Sequence, residues 1–428
     1  MDDQFKTRKH KPNHEIKVKE VEDEEKIEVK HEEPEEEFNL DKEDEFKTPD
    51  AISSIDTHSS AEPLLDRKEL TKMRIKNKRI DLSFIKEKKV YIPLIIVLVL
   101  IAGIGTYFGL KSSPKNKTIT EINTHAVVKT TAASKLTGLQ VNPLVNKLPI
   151  TAVMIENSIA ARPQSGLSSA GVVFEAVAEG GVTRFMALFQ NNDSTSLGPI
   201  RSARPYYISW AMGFDASYVH VGGSPDALSD LNSWGTKNLD QFYNGDYFQR
   251  VNFRDAPHNV YSTLKDLTNL EQSKGYTSST FTSWTRKADA PNVKPTATKI
   301  SFSLSGPDYD PVFTYDSKSN SYLREESGVA MTDSNTNTQL SPKVVIGIVV
   351  PASQGELDAS GAYYTDYQYI GSGNAYIYQD GTVTKGTWTK SSNSDQIKFT
   401  TLSGQVISLN AGQTWITAVK DDSSVSSS

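Results

Sequence analysis

Cysteine is absent from the 428-residue chain. Its absence excludes disulfides, thiolate nucleophiles and cysteine-held zinc or iron–sulfur centres, and leads us to expect no lipid-modified N-terminal cysteine. Histidine is scarce, with seven residues, and His10, His14, His31 and His58 are scattered through an acidic stretch. His10 and His14 have the spacing of helical metal ligands, but Pro12 between them opposes a helix, so no metal is expected there. The long C-terminal part also lacks a surplus of either charge. Residues 111–428 carry 26 basic and 27 acidic side chains, leaving no field that would steer them onto nucleic acid. No G-x-S-x-G occurs, so a serine nucleophile on a sharp strand–helix turn is unsupported.

What is present divides the chain. Residues 1–66 hold 22 acidic against 10 basic side chains, with too little apolar surface to offset chain entropy, and are expected to be a disordered cytoplasmic tail. Residues 67–89 reverse the sign, with 10 basic against 3 acidic, and read as a basic juxtamembrane segment. Residues 90–110, VYIPLIIVLVLIAGIGTYFGL, hold no charge and match the ~20 residues that cross a hydrocarbon core. We expect a single transmembrane helix. Eight Lys/Arg precede it within 20 residues and four follow, which places the N-terminus in the cytoplasm and the remainder outside the cell membrane. Residues 111–135 read as a stalk.

The folded part is expected in two domains. Residues 136–286 mix strands (149–155, 172–178, 182–190, 216–221) with helices (202–212 and 224–234), and Gly180-Gly181 marks a hairpin. Ser224 and Pro225 are an N-cap and a first helical residue. A proline-containing linker spans 287–298. Residues 299–420 hold short strand-like runs with a second hairpin signal at Asp380-Gly381, and 421–428 read as a frayed tail. The expected fold is an α+β (mixed α/β) first ectodomain followed by a mainly antiparallel β second domain, with the single span and disordered tail before them.

Several motifs occur in order: LTGLQV (136–141), PITAVMIENSIAARPQSGL (149–167), VVFEAVAEGGVTRFMALF (172–189), GPIRSAR (198–204), VHVGGSP (219–225) and APHN (256–259). They resemble the N-terminal half of the YerB-like family of bacterial envelope lipoproteins. GSGNAYIYQDGTVTKGTW (371–388) and GQTWI (412–416) resemble its C-terminal half. The resemblance spans residues 136–419. It implies a two-part domain of unknown function in the envelope. Many relatives carry a lipobox cysteine, which this chain lacks, so residues 90–110 are expected to replace it as anchor.

The motifs gather unusual polar residues. Arg162, Gln164, Glu175, Arg184, Arg201, Arg204, His220, His258 and Asn259 are the candidate ligand-binding residues, because guanidinium forks and imidazoles suit an anionic group. A two-residue hairpin loop places Arg184 opposite Val177, with Glu175 and Glu179 as diagonal neighbours that either neutralise it or leave it to a ligand. Arg201 and Arg204 lie at a helix start, where cations oppose the macrodipole. His220 is followed by Val221-Gly222-Gly223, which makes either an ordinary strand-to-helix turn or an anion cradle. No catalytic residue, metal or cofactor is assigned. The function expected is binding of an anionic cell-wall or lipid-linked glycan through an Arg/His-rich cleft of the first domain. One alternative is an envelope phosphotransferase or hydrolase acting on a phosphate-linked glycan, which would need an uncommitted carboxylate facing the arginines. The other is a structural or protein-partner module.

Overall fold

Three buried strands open the fold: β1 (Thr151–Glu156), β2 (Val172–Glu179) and β3 (Val182–Phe189). Their near-continuous burial marks strands covered on both faces. The structure, a computed structural model, describes residues 131–428 apart from 192 and 194. The acidic tail, the basic segment, the expected span and most of the stalk lie outside the described residues.

β2 and β3 form the expected hairpin, with Gly180 and Gly181 at φ +56° and +80°, a turn that needs two residues tolerant of left-handed backbone. β1 pairs antiparallel with β3. β4 (Ser217–His220) and β5 (Lys237–Asp240) then extend the sheet in parallel beyond β1. They are reached through α1 (Pro205–Met212) and α2 (Pro225–Ser233). Ser224 caps α2 by accepting from the Ala227 amide, and Pro225 takes the first helical position. β6 (Val260–Thr263) leads directly into α3 (Leu264–Ser273), which Thr263 caps.

β7 (Lys299–Phe302), β8 (Val312–Asp316) and β9 (Ser321–Glu326) form an antiparallel second sheet. The chain then rejoins the first sheet. β10 (Val344–Val349), the hairpin β11 (Ala352–Leu357) and β12 (Tyr363–Tyr367), β13 (Gly371–Gln379), β14 (Thr382–Lys390), β15 (Lys398–Thr401) and β16 (Thr414–Val419) follow in turn. The main sheet runs β15-β14-β13-β10-β16-β2-β3-β1-β4-β5, and β12 touches β2 at Tyr364 and Glu179. Residues 421–428, expected to fray, contribute β17 (Val425–Ser427), paired with β7.

Period-two alternation sends the sheet's side chains into two cores. Ala152, Met154, Phe174 and Met186 face α1 and α2, packing with Tyr207 and Trp210. Val153, Ile155, Val173 and Phe185 face α3 and the second sheet, packing with Leu267, Phe313 and Trp415. The result is three layers, with the main sheet in the middle.

This arrangement corrects the expected fold class. The first part is not an α+β domain beside a separate β domain. Strands dominate, and the described residues hold three short α-helices of 8, 9 and 10 residues. The reason lies in β16, which inserts in parallel between β10 and β2 and so makes one sheet from both ends of the folded chain. The expected membrane helix has no counterpart among the described residues. Among the described residues no helix is long and apolar enough to cross a membrane. The longest, α3, has 10 residues and a length of about 15 Å, half of a ~30 Å hydrocarbon core. Residues 90–110 themselves lie outside the described residues.

Candidate functional site

Parallel strands present their carboxyl ends on one edge, where open α/β sheets place their ligand crevices. β1 ends at Glu156, β4 at His220 and β5 at Asp240. At this edge lies a cavity of about 720 Å³ lined by Arg201, Gly222, Gly223, Phe242, Tyr243 and Arg250, among others. Gly222, at φ +58°, turns the chain out of β4, and its amide donates to Asp240 Oδ1 at 3.1 Å. Phe242 and Tyr243 are 68% and 84% exposed, so two aromatic rings stand open at the rim.

The candidate residues distribute unevenly around this edge. Two of them, Arg201 and His258, converge with Ser158 on one carboxylate. Glu156, buried at the end of β1, accepts Ser158 Oγ at 2.9 Å on its Oε1. His258 Nδ1 lies 2.9 Å from the same oxygen, and Arg201 Nε 3.4 Å from it. Glu156 Oε2 is buried without a hydrogen-bond partner. Arg201 and His258 are each about a quarter exposed, and Arg201 has no other partner among the described residues.

Arg184 and Arg204 belong to a different cluster. The register of the β2–β3 hairpin shifts between Val177 and Glu179, so Arg184 stands opposite Ala176 rather than the expected Val177. This one-residue bulge separates the two glutamates. Glu179 receives the guanidiniums of both Arg184 and Arg204. Arg184 also donates to the Ser202 carbonyl at 3.2 Å, and Arg204 lies 4.8 Å from the Tyr364 ring centre. Burial, with Arg204 beside it, lowers Arg184 to about 10 against the pull of Glu179. Both guanidiniums are nearly enclosed.

Glu175 faces the other core. Its Oε1 accepts from Arg324 at 2.6 Å and its Oε2 from Trp415 Nε1 at 2.8 Å. Burial pushes its carboxyl above the usual range despite Arg324, with Glu326 adding to the rise. Arg324 bridges Glu175 and Glu326 in the interior. Glu326 in turn meets Arg162 at 3.2 Å, whose Nε donates to Asn157 Oδ1. Gln164 is buried and donates to the Glu156 carbonyl and to Asn157 Oδ1, both at 2.9 Å. Arg162 and Glu175 therefore knit the first and second sheets together, and Gln164 braces the end of β1 beside them.

His220 is fully buried. Its Nδ1 lies 2.7 Å from the Gly222 carbonyl in the turn that follows β4, and its Nε2 2.8 Å from Asn238 Oδ1 on β5, so both nitrogens are occupied. Asn259 accepts from Arg250 at 2.8 Å and holds that arginine at the cavity wall. Sequence reasoning passes over Arg250, Phe242 and Tyr243. The signal was available in DQFYNGDYFQR (240–250), where aromatics crowd a segment rich in turn residues.

The comparisons with known proteins agree with each other. The N-terminal domain model of a protein family of unknown function, DUF3048, matches residues 136–277, and its C-terminal domain model matches residues 300–416. The candidate lipoprotein YerB of Bacillus subtilis (strain 168) is 32% identical over 290 residues, covering 67% of this chain and 86% of the relative. The crystal structure of YerB from the same organism superposes with a TM-score of 0.61 at 30% identity, over 69% of this chain and 99% of that one. The expected localisation is corrected here. The relative is named a lipoprotein, a class held by lipid rather than by a helix, and no described helix of this chain can cross a membrane. The relative's name stands against the expected single-pass placement with a cytoplasmic N-terminus. The chain belongs to the YerB-like DUF3048 family, a two-part domain of unknown function.

Proposed function

We propose that this protein binds an anionic ligand of the cell envelope, a glycan bearing phosphate or carboxylate, in the cavity at the carboxyl ends of β1, β4 and β5. One observation carries the reading. Arg162, Arg184 and Arg204 are bonded into the fold, whereas Arg201 has the single partner Glu156 and lines an open cavity. A guanidinium there can take two oxygens of an anion through its terminal nitrogens. Arg250, on the same cavity wall, supplies a second cation. The exposed rings of Phe242 and Tyr243 offer flat apolar faces to a sugar beside the charged group. The lipoprotein name of the Bacillus subtilis relative supports an envelope ligand.

Thermal unfolding of the purified full chain tests this with inorganic phosphate, glycerol 3-phosphate and glucuronate. At least one should raise the melting temperature saturably, since a ligand at 100 times its Kd stabilises the folded state by about 2.7 kcal/mol. The rise should vanish in Arg201→Ala and weaken in Arg250→Ala. No rise with any of the three, or an equal rise in Arg201→Ala, overturns the reading.

A further inference from the structure

Binding alone makes no use of the Glu156–His258 pair. Glu156 is buried, and its Oε1 lies 2.9 Å from His258 Nδ1. A carboxylate on Nδ1 fixes the proton there and leaves the lone pair on Nε2. The ring is a quarter exposed, so water has access to it. Pro257, its chain neighbour, lines the cavity. Arg201 Nε approaches the same Glu156 oxygen at 3.4 Å, so imidazole and guanidinium meet on one carboxylate oxygen. The second carboxylate oxygen, Oε2, is buried and unpartnered. Its charge therefore remains available to stabilise an imidazolium.

Resting on the anion-binding reading, we infer that Glu156 and His258 form an acid–base dyad that makes this cavity a phosphodiesterase site. An anion held by Arg201 would share the Glu156 oxygen's surroundings with His258, and it must also be the group that reacts. A carboxylate resists attack by water, because its carbon is deactivated by the charge. A phosphodiester carries one negative charge and still offers an electrophilic phosphorus. In the step, a water oxygen attacks phosphorus while His258 Nε2 takes the water's proton. The P–O bond to one alcohol breaks on the opposite side. The departing alkoxide takes a proton from solvent, and the imidazolium returns its own. The products are a phosphomonoester and an alcohol, with water as the only co-reactant. His258 is the catalytic residue, Arg201 holds the equatorial oxygens, and Glu156 is a positioning residue.

The assay uses the full chain with bis(4-nitrophenyl) phosphate, reading 4-nitrophenolate release. Wild type should exceed His258→Gln by about 100-fold, the usual contribution of general base catalysis. Arg201→Ala should raise KM. Glu156→Gln should lower kcat and displace the pH profile, which a purely structural role would not do. Should Glu156→Gln fail to fold, His258→Gln at its part-exposed position still decides. Equal release by wild type and His258→Gln, with Arg201-dependent stabilisation by inorganic phosphate intact, overturns the dyad and leaves the binding reading standing. If no anion binds and nothing is released, both fall.

Discussion

Glu271 on α3 is buried against the main sheet, and changing it to glutamine should stabilise the protein in a pH-dependent way. Its Oε1 accepts from Thr151 Oγ1 at 2.9 Å, while Oε2 has no hydrogen-bond partner. Burial pushes the carboxyl from its ordinary 4.5 up to about 7, against the hydroxyls of Thr151 and Ser217 and the charge of Lys237. The folded state thus holds a proton that the unfolded state releases. The stabilising contribution is fully present below about pH 4.5 and is lost as pH rises through about 7. A difference of that size corresponds to about 3 kcal/mol at pH 8. Glutamine mimics the protonated acid, accepting from Thr151 and offering an N–H toward Ser217. Urea unfolding of wild type and Glu271→Gln should give near-equal stabilities at pH 4.5, with the variant ahead by about 2–3 kcal/mol at pH 8. A difference independent of pH, or a variant weaker at pH 8, would refute the assignment.

Glu179→Gln should cost on the order of 3 kcal/mol, because it leaves Arg184 and Arg204 enclosed without a counter-charge. Adding Arg204→Met should recover part of that loss in a double-mutant cycle read by urea unfolding; strictly additive losses would show that the pair does not interact. Asp380 sits in the β13–β14 turn at φ +57°, and its carboxylate meets Lys287, Asn320, Asn410 and the Ala290 amide. Burial alone would raise it, but these donors outweigh burial and hold it at about 2. A depressed carboxyl stabilises above its unfolded value of 3.8, and that contribution is lost as pH falls through about 2. Asp380→Asn keeps a residue tolerant of the turn and should cost about 1–2 kcal/mol at pH 7 after allowance for solvent screening. The gap should narrow between pH 5 and 2.5; a constant gap would assign the cost to packing.

Local chemistry was legible in the sequence, and long-range partnership was not. The strand–Gly-Gly–strand hairpin and the Ser224 cap follow from composition and turn residues within a few positions. α3 was within reach too, since Thr263 precedes apolar residues at 264, 267 and 270. What failed is register and pairing at a distance. An extra residue between Val177 and Glu179 moves Arg184 one place along β2, and with a side-chain period of two this sends Glu175 to the opposite layer. There it meets Arg324, 149 positions away, an ion pair that no local pattern announces. The same blindness hides β16, whose TWITAV run reads as any buried strand until it is placed between β10 and β2.

That misplacement explains why an arginine count overstated the site. Four arginines in the motifs resemble one anion-binding cleft only while their carboxylates are unassigned. The sheet assigns them: Glu179 to Arg184 and Arg204, and Glu326 to Arg162. Arg201 differs because its one carboxylate contact is long. Glu156 Oε1 already serves Ser158 and His258, and Arg201 approaches it no closer than 3.4 Å through Nε. A guanidinium so incompletely neutralised, at the carboxyl edge of parallel strands, is the electrostatic gap a bound anion would close. Replacing Glu156 by glutamine therefore has opposite consequences for the two steps. Anion affinity at Arg201 should rise, because the competing charge is gone, while turnover through His258 should fall, because its orienting partner is gone. Measured together on one variant, phosphate-induced stabilisation and nitrophenolate release should move in opposite directions. If both fall together in a folded variant, Glu156 holds the cavity's shape and nothing more.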